Sequence, residues 1–240
     1  MPLPAFHATR PRVGFLLLAA LLLLQIGCRP VREVAPIPTK APPVATEVPS
    51  GYTRYRVVAA ASEVRVLVYK DGPMARLGHN HVLSSRSLQG EVFLGGKGQE
   101  PRVSLVLPVE SFSVDQADLR KEEGEDFPGA VEDDAIAGTR KNMLSDALLN
   151  GAHFPAIRLT SRKVAGVAPD YTMTVAIEVK GEVHELQVPV RVEQRPNELR
   201  ASGKFTVTHA EMGLKPFTVM GGLLSVRDEI RLRFRIVARP

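Results

Sequence analysis

From residue 52 onward, apolar and polar side chains alternate over most of the chain, the period-two signature of strands with one buried face. In "EVRVLVYK", Val64, Val66 and Val68 share a face, and Arg65, Leu67 and Tyr69 share the other. "YTMTVAIEV" sets Tyr171, Met173, Val175, Ile177 and Val179 against Thr172, Thr174, Ala176 and Glu178. Lys180-Gly181 then reads as a two-residue hairpin loop. A register follows: Val179 opposite Glu182, Ile177 opposite His184, Val175 opposite Leu186, Met173 opposite Val188, and Tyr171 opposite Val190. Apolar meets apolar at nearly every rung, so both strands bury the same face. His184 falls on that face near the hairpin end, where a hydrogen-bonded rim histidine is expected.

The final strand repeats the pattern. Val226, Ile230, Leu232, Phe234 and Ile236 alternate with Arg227, Glu229, Arg231, Arg233 and Arg235, which are expected on a solvated outer face. Asp228 interrupts the apolar phase, as a rim position would. Further strands are predicted at about 52–60, 87–95, 102–112, 156–165 and 199–208. Several runs reach nine to eleven residues, longer than the usual five or six. At about 3.3 Å per residue, ten residues make a wall roughly 33 Å deep. Long strands with one apolar face predict an all-β domain over 51–240, either a closed antiparallel barrel or a sandwich.

One helix interrupts the alternation. "GTRKNMLSDALLNG", 138–151, carries Met143, Leu144, Ala147 and Leu148 at helical spacing, and Asn150-Gly151 ends it. The preceding "DQADLRKEEGEDFPGAVEDD" is acidic and lacks strand periodicity. Its carboxylates do not fall at the offsets of a calcium loop, so a long solvated loop is expected.

The first fifty residues are of another kind. Arg10 and Arg12 precede an apolar run, Val13 to Leu24, which is short of the roughly 20 residues a membrane span needs. Residues 1–27 therefore read as a secretory signal peptide. "LLQIGCR" follows and resembles a bacterial lipobox, with Gly27 before Cys28, the only cysteine of the chain. Cys28 is expected to carry a lipid anchor, since it has no disulfide partner and an exported free thiol is a liability. The resemblance implies that the mature protein is on the periplasmic side of a bacterial envelope, and anchoring to the outer membrane is expected. Residues 28–50 are Pro-rich and glycine-free, the composition of a semi-extended tether.

Charge adds little. Setting aside the five basic and two acidic residues of the first fifty leaves 26 basic and 24 acidic side chains, a net charge of +2. With no basic stripe and no tryptophan, nucleic acid is not an expected partner.

"RLGHNHVLS" sets His79 and His81 two apart, on one side of the chain if the segment is a strand. Two ligands do not complete a zinc site, and a metal- or haem-associated reading needs a third donor such as His209 or Glu211. Histidines hydrogen-bonded at a strand entrance are the commoner outcome. A nuclease reading of "HNH" requires partners on a following helix, whereas this segment runs into a strand.

Four stretches in this order resemble the YceI-like lipid-binding family over residues 52–239: "YRVVAAASEVRVLVY", "GHNHVLSSRSLQGEVFL", "HFPAIRLTSRKV" and "GKFTVTHAEMGLKPF". Ala61-Ser62 stands where members often have His-Ser, His209 where an arginine is frequent, and Leu159 where a phenylalanine is. With the doubled histidine and the acidic insertion, these mark a divergent branch. The resemblance implies an extended, lipocalin-like antiparallel barrel of about eight strands around a long isoprenoid or other lipid tail.

The expected function is accordingly binding. Candidate pocket residues are the inward apolar positions. Val64, Val66, Val68 and Leu105 come from the first half of the sheet, and Met173, Val175, Ile177, Leu186 and Val188 from the paired strands. Phe154, Phe205, Leu232 and Phe234 complete the wall, and Met143, Leu144 and Leu148 either close a barrel mouth or pack against the sheet. An isoprenoid or quinone-like lipid is the expected ligand, with no other cofactor, and a homodimer is left open. No G-x-S-x-G elbow, P-loop or G-x-G-x-x-G occurs, and no carboxylate pair has acid/base spacing, so an enzyme is not expected. A structural envelope module with a filled core is the remaining alternative.

Overall fold

The structure, a computed structural model, describes residues 48–96 and 99–240. The signal segment, Cys28 and most of the tether lie outside the described residues.

Alternation becomes a closed antiparallel barrel. The first barrel position is shared by two strands in line, β1 (Tyr52–Val57) and β2 (Glu63–Asp71). The second holds β3 (His81–Ser85) and β4 (Gln89–Gly95), and the third β5 (Arg102–Pro108) and β6 (Ser113–Val114). Two helices follow, α1 (Ala117–Glu123) and α2 (Asp133–Leu144). Long uninterrupted strands fill the other positions: β7 (Ala156–Val167), β8 (Asp170–Val179), β9 (Glu182–Arg195) and β10 (Glu198–Thr208). After the short β11 (Thr218–Val219), β12 (Leu224–Arg239) completes the wall. The hydrogen-bonded circuit runs β1-β4-β5-β7-β8-β9-β10-β12 and closes where β12 returns to β1, with Val57 opposite Ala238. The rest of β12 pairs with β2, which continues the wall through β3 and β6.

The β8–β9 hairpin has the register expected from its pattern, from Val179↔Glu182 to Tyr171↔Val190. Lys180 and Gly181 both have positive φ, 52° and 77°, as a two-residue turn matched to the sheet twist requires. Asp228 interrupts the last strand because the register against β2 shifts between Val226 and Ile230, a bulge at the barrel rim.

Three predicted strands are shorter than expected, for one reason. The wall breaks between β1 and β2, between β3 and β4, and between β5 and β6, and serines take over backbone bonds at each break. Ser62, almost fully buried, donates to the Val58 carbonyl (2.9 Å) and accepts from the Val237 N–H (3.0 Å). Ser85 and Ser111 share a hydroxyl bond of 2.7 Å, and Ser111 also reaches the Pro108 carbonyl. The run 102–112 is therefore β5, a 3-10 turn over Val109–Ser111, and the approach to β6.

The helix expected at 138–151 starts earlier, at Asp133, and ends at Leu144; residues 145–155 are turns. Asp133 and Asp134 lie in its first turn, where acids complement the helix dipole. Arg140 donates to the carbonyls of Glu110 (2.7 Å) and Phe112, holding α2 beside β6.

The acidic stretch is not a solvated loop. It forms α1 and packs on the outside of the barrel, where Leu119, Phe127, Val82 and the outward pair Leu67 and Tyr69 make a second small core. It also covers part of the arginine face. Arg233 donates to Glu123 (3.1 Å), and Arg231 donates to the Tyr69 hydroxyl (3.0 Å) with its guanidinium over that ring. Arg227, Arg231 and Arg235 remain exposed, as expected.

Candidate functional site

Inside the barrel lies an apolar cavity of about 540 Å³. That is within the range of small-molecule pockets, roughly 300–1,000 Å³. It extends from Leu94 and Gln194, near the turns that join β4 to β5 and β9 to β10, to Gly78, Val219 and Leu224 at the opposite end. Its wall is the inward face of every barrel position, which alternation selects strand by strand.

Thirteen of the sixteen candidate pocket residues line this cavity: Val64, Val66, Val68, Leu105, Met143, Leu148, Met173, Val175, Ile177, Val188, Phe205, Leu232 and Phe234. Three do not. Leu186 faces inward but is buried in the core cluster with Val175 and Val188. Leu144 packs, partly buried, beside Leu105 and Leu107. Phe154 lies against the Lys180-Gly181 turn, its ring 2.9 Å from where a Gly181 Cβ would stand. The sequence reading omitted other lining residues, among them Leu83, Leu88, Leu107, Phe112, Leu199 and Ile236. The signal that finds Leu83, Leu107 and Ile236 is the same alternation, whereas Leu88 and Phe112 sit at the strand breaks and have no periodic signature.

Polar groups gather at one end. The β8–β9 hairpin, the segment 72–80, the helical insertion and the segment 209–223 all emerge there. His79, His81 and His209 line the cavity at that end. His79 is exposed, and its ring centroid lies 6.4 Å from that of His81. The His81 Nδ1–H donates to Asp115 Oδ2 at 2.6 Å, a role fixed by the acceptor-only carboxylate. His209 Nδ1 donates to the Asp228 carbonyl (2.8 Å). Among the described residues, no three His, Cys, Asp or Glu side chains are grouped to hold a metal ion. The set His79, His81 and His209, with or without Glu211, is thus not assembled as a coordination site. His184 stands at the rim beside Gly213, with its Nε2 3.8 Å from a Glu182 carboxylate oxygen and without a hydrogen-bond partner among the described residues.

Behind His81 lies a buried ionic cluster with no signal in the sequence pattern. Asp115 adopts φ 53° and its carboxylate is fully buried. It accepts from His81, from the Val82 N–H (2.9 Å) and from Arg120 Nη1 (2.7 Å). Burial pushes the Asp115 carboxyl up, but these donors outweigh it and hold the group below the usual carboxylate range. Arg120 is only 2% exposed and also donates to the carbonyls of Asn80 (2.7 Å), Gly129 (3.0 Å) and Pro128 (3.2 Å). The Asn80 side chain, between the two histidines, bonds the Lys70 N–H and the Asp126 carbonyl. The "HNH" triplet is therefore a strand entrance clamped from behind by the insertion.

The sequence model of the YceI-like domain matches residues 55–238. No curated protein matches the chain. Among solved structures, BcnA of Burkholderia cenocepacia is similar, with TM-score 0.55 and 15% identity, covering 75% of this chain and 98% of that one. The YceI protein of Campylobacter jejuni is more distant, with TM-score 0.47 and 10% identity, covering 66% and 84%.

Proposed function

The chain belongs to the YceI-like domain family, and from that premise we propose that its barrel is a carrier for one long apolar lipid tail, isoprenoid or quinone-like. The observation that carries this reading is the cavity: about 540 Å³, lined by inward apolar side chains from every barrel position, with polar groups concentrated at one end. The tail would lie along the barrel axis, with the polar head toward His79, His81 and His209. A tail that buries about 400 Å² of apolar surface gains roughly 10 kcal/mol at ~25 cal/mol/Å². Association and ordering consume part of that, which leaves affinity no tighter than about micromolar without any metal or catalytic group. The functional class is binding rather than catalysis.

The proposal includes export and attachment of the mature protein through a lipidated Cys28, on the periplasmic side of the outer membrane. The motif "LLQIGCR" supports this part. Solvent extraction of the purified full-length protein, followed by mass spectrometry, tests the carrier reading. A stoichiometric lipid is expected, and a barrel that never yields one, even after incubation with isoprenoids and quinones, refutes it.

A further inference from the structure

Two histidines at the polar end of the cavity present the same chemical face to it. His81 gives its Nδ1 proton to the acceptor-only carboxylate of Asp115 at 2.6 Å. His209 gives its Nδ1 proton to the Asp228 carbonyl at 2.8 Å. A neutral imidazole carries one N–H, so both Nε2 atoms are left as lone-pair acceptors. Neither has a hydrogen-bond partner among the described residues, and neither is sealed off as the Nε2 of His184 is. The His209 side chain is 5% exposed and lines the cavity, so its open Nε2 faces the cavity and not bulk water. His81, with a side chain 17% exposed, lines it as well.

The His81 acceptor is held from behind. Asp115 is fixed by Arg120 and by the Val82 N–H, so the ring cannot move its proton to Nε2 without turning a lone pair onto a buried carboxylate. The nearest cation is a donor. Lys70 lines the cavity one inward position beyond Val68, the partner of His81, and its Nζ spends one of three protons on the Gly78 carbonyl at 2.9 Å. A hydroxyl matches this set, since its proton goes to an imidazole Nε2 and its oxygen accepts from Lys70. A quinone or an ester brings oxygens alone and leaves the histidine acceptors desolvated without a donor. A phosphate would satisfy Lys70 but set negative oxygens against two lone pairs.

We propose that this end of the cavity is a hydroxyl-recognition site, with Nε2 of His81 and Nε2 of His209 as acceptors. The ligand it selects is a lipid whose tail ends in a hydroxyl, a prenyl alcohol or a hydroquinone. The assignment rests on the carrier reading, in which the tail supplies the affinity; the histidines supply the choice of head. Asp115 is a positioning residue that fixes the His81 tautomer.

Delipidated full-length protein, offered equimolar geranylgeraniol and geranylgeranyl acetate from detergent micelles, is extracted and its bound lipids counted by mass spectrometry. The alcohol should lead by at least about tenfold, because the acetate leaves a buried acceptor without a donor. His81→Phe combined with His209→Phe should still bind lipid but bring the pair within about threefold. Equal retention by wild type, or geranylgeranyl phosphate displacing the alcohol, overturns this proposal alone. Uptake of none of the three refutes the carrier reading, and this assignment falls with it. Long-range proton–nitrogen spectra of the wild-type protein at about pH 8 read the tautomers directly, with His81→Gln and His209→Gln assigning the two rings. Both should carry the proton on Nδ1, and an Nε2–H at either ring overturns the proposal whatever lipid is bound.

Discussion

Two cavity-facing valines on adjacent strands distinguish a carrier from a filled structural module. Val175 and Val188 come from β8 and β9, are both 6% exposed, and line the cavity one rung apart, opposite Leu186 and Met173. Val175→Phe or Val188→Phe adds a ring to that space. In a core already packed to protein density, each would cost about 1–3 kcal/mol. At roughly 2–4 °C per kcal/mol for a domain of this size, the melting temperature would fall by about 2 to 12 °C. In an apolar cavity the ring instead fills vacant volume, and each buried carbon returns about 0.8 kcal/mol. The four carbons that Phe adds to Val can return up to about 3 kcal/mol, so the delipidated variants should melt no lower than delipidated wild type. The ring occupies the tail's path, so co-purifying lipid should disappear. Thr172→Phe, on the exposed outer face, is the control and should change neither quantity. Thermal melts with and without delipidation, together with lipid mass spectrometry, read both quantities. Sharp destabilisation by both inward variants, with no extractable lipid in wild type, would refute the cavity reading.

Asp115→Asn should cost about 3–5 kcal/mol at neutral pH, because it leaves the buried Arg120 without its counter-charge. Since the folded carboxyl lies below its ordinary value of 3.8, its contribution is fully present above that pH and is lost as pH falls through the lower folded value. Urea melts from pH 6 to pH 2 should accordingly show a shallower acid slope for the variant, and an unchanged slope would exclude this role for Asp115. Replacing His79 and His81 together by Gln should leave bound lipid in place; stoichiometric zinc, copper or haem lost with the pair would reverse the ranking of the lipid and metal readings. Cys28→Ser should release the full chain from membranes with the barrel's melting temperature unchanged, and intact mass should show acyl and glyceryl groups only when Cys28 is present.

The barrel was legible where a strand obeys one rule along its length. In β8 and β9 the inward positions are apolar from Tyr171 to Val179 and from Leu186 to Val190, and Lys180-Gly181 permits a single turn geometry. A one-residue slip would move every valine to the outer face, so pattern and register carry the same information. The strand breaks were not legible, because a serine that bonds the backbone leaves alternation almost intact. Ser62 interrupts a run of alanines, and Ser111 stands between residues that read equally well as strand. What stops each strand is a hydrogen bond to a residue far along the chain, and no local pattern contains that residue.

The acidic insertion shows the same limit at the candidate site. Its apolar residues, Leu119, Phe127 and Val131, are few and follow no helical period, so composition alone reads them as solvated. They are buried because the barrel presents an outer face to match. Leu67 and Tyr69 of β2 point outward, where a solvated barrel would carry polar groups, and the insertion covers them. Arg120 then connects this covering layer to the mouth, donating at once to Asp115, which holds His81, and to the carbonyl of Asn80 between the two histidines. The insertion and the doubled histidine, which look like separate oddities in the chain, are thus one device. Deleting the insertion would expose Leu67 and Tyr69 and also free the segment 72–81 that forms the rim of the cavity. The chemistry at the mouth of this barrel is therefore set by a layer that never touches the cavity.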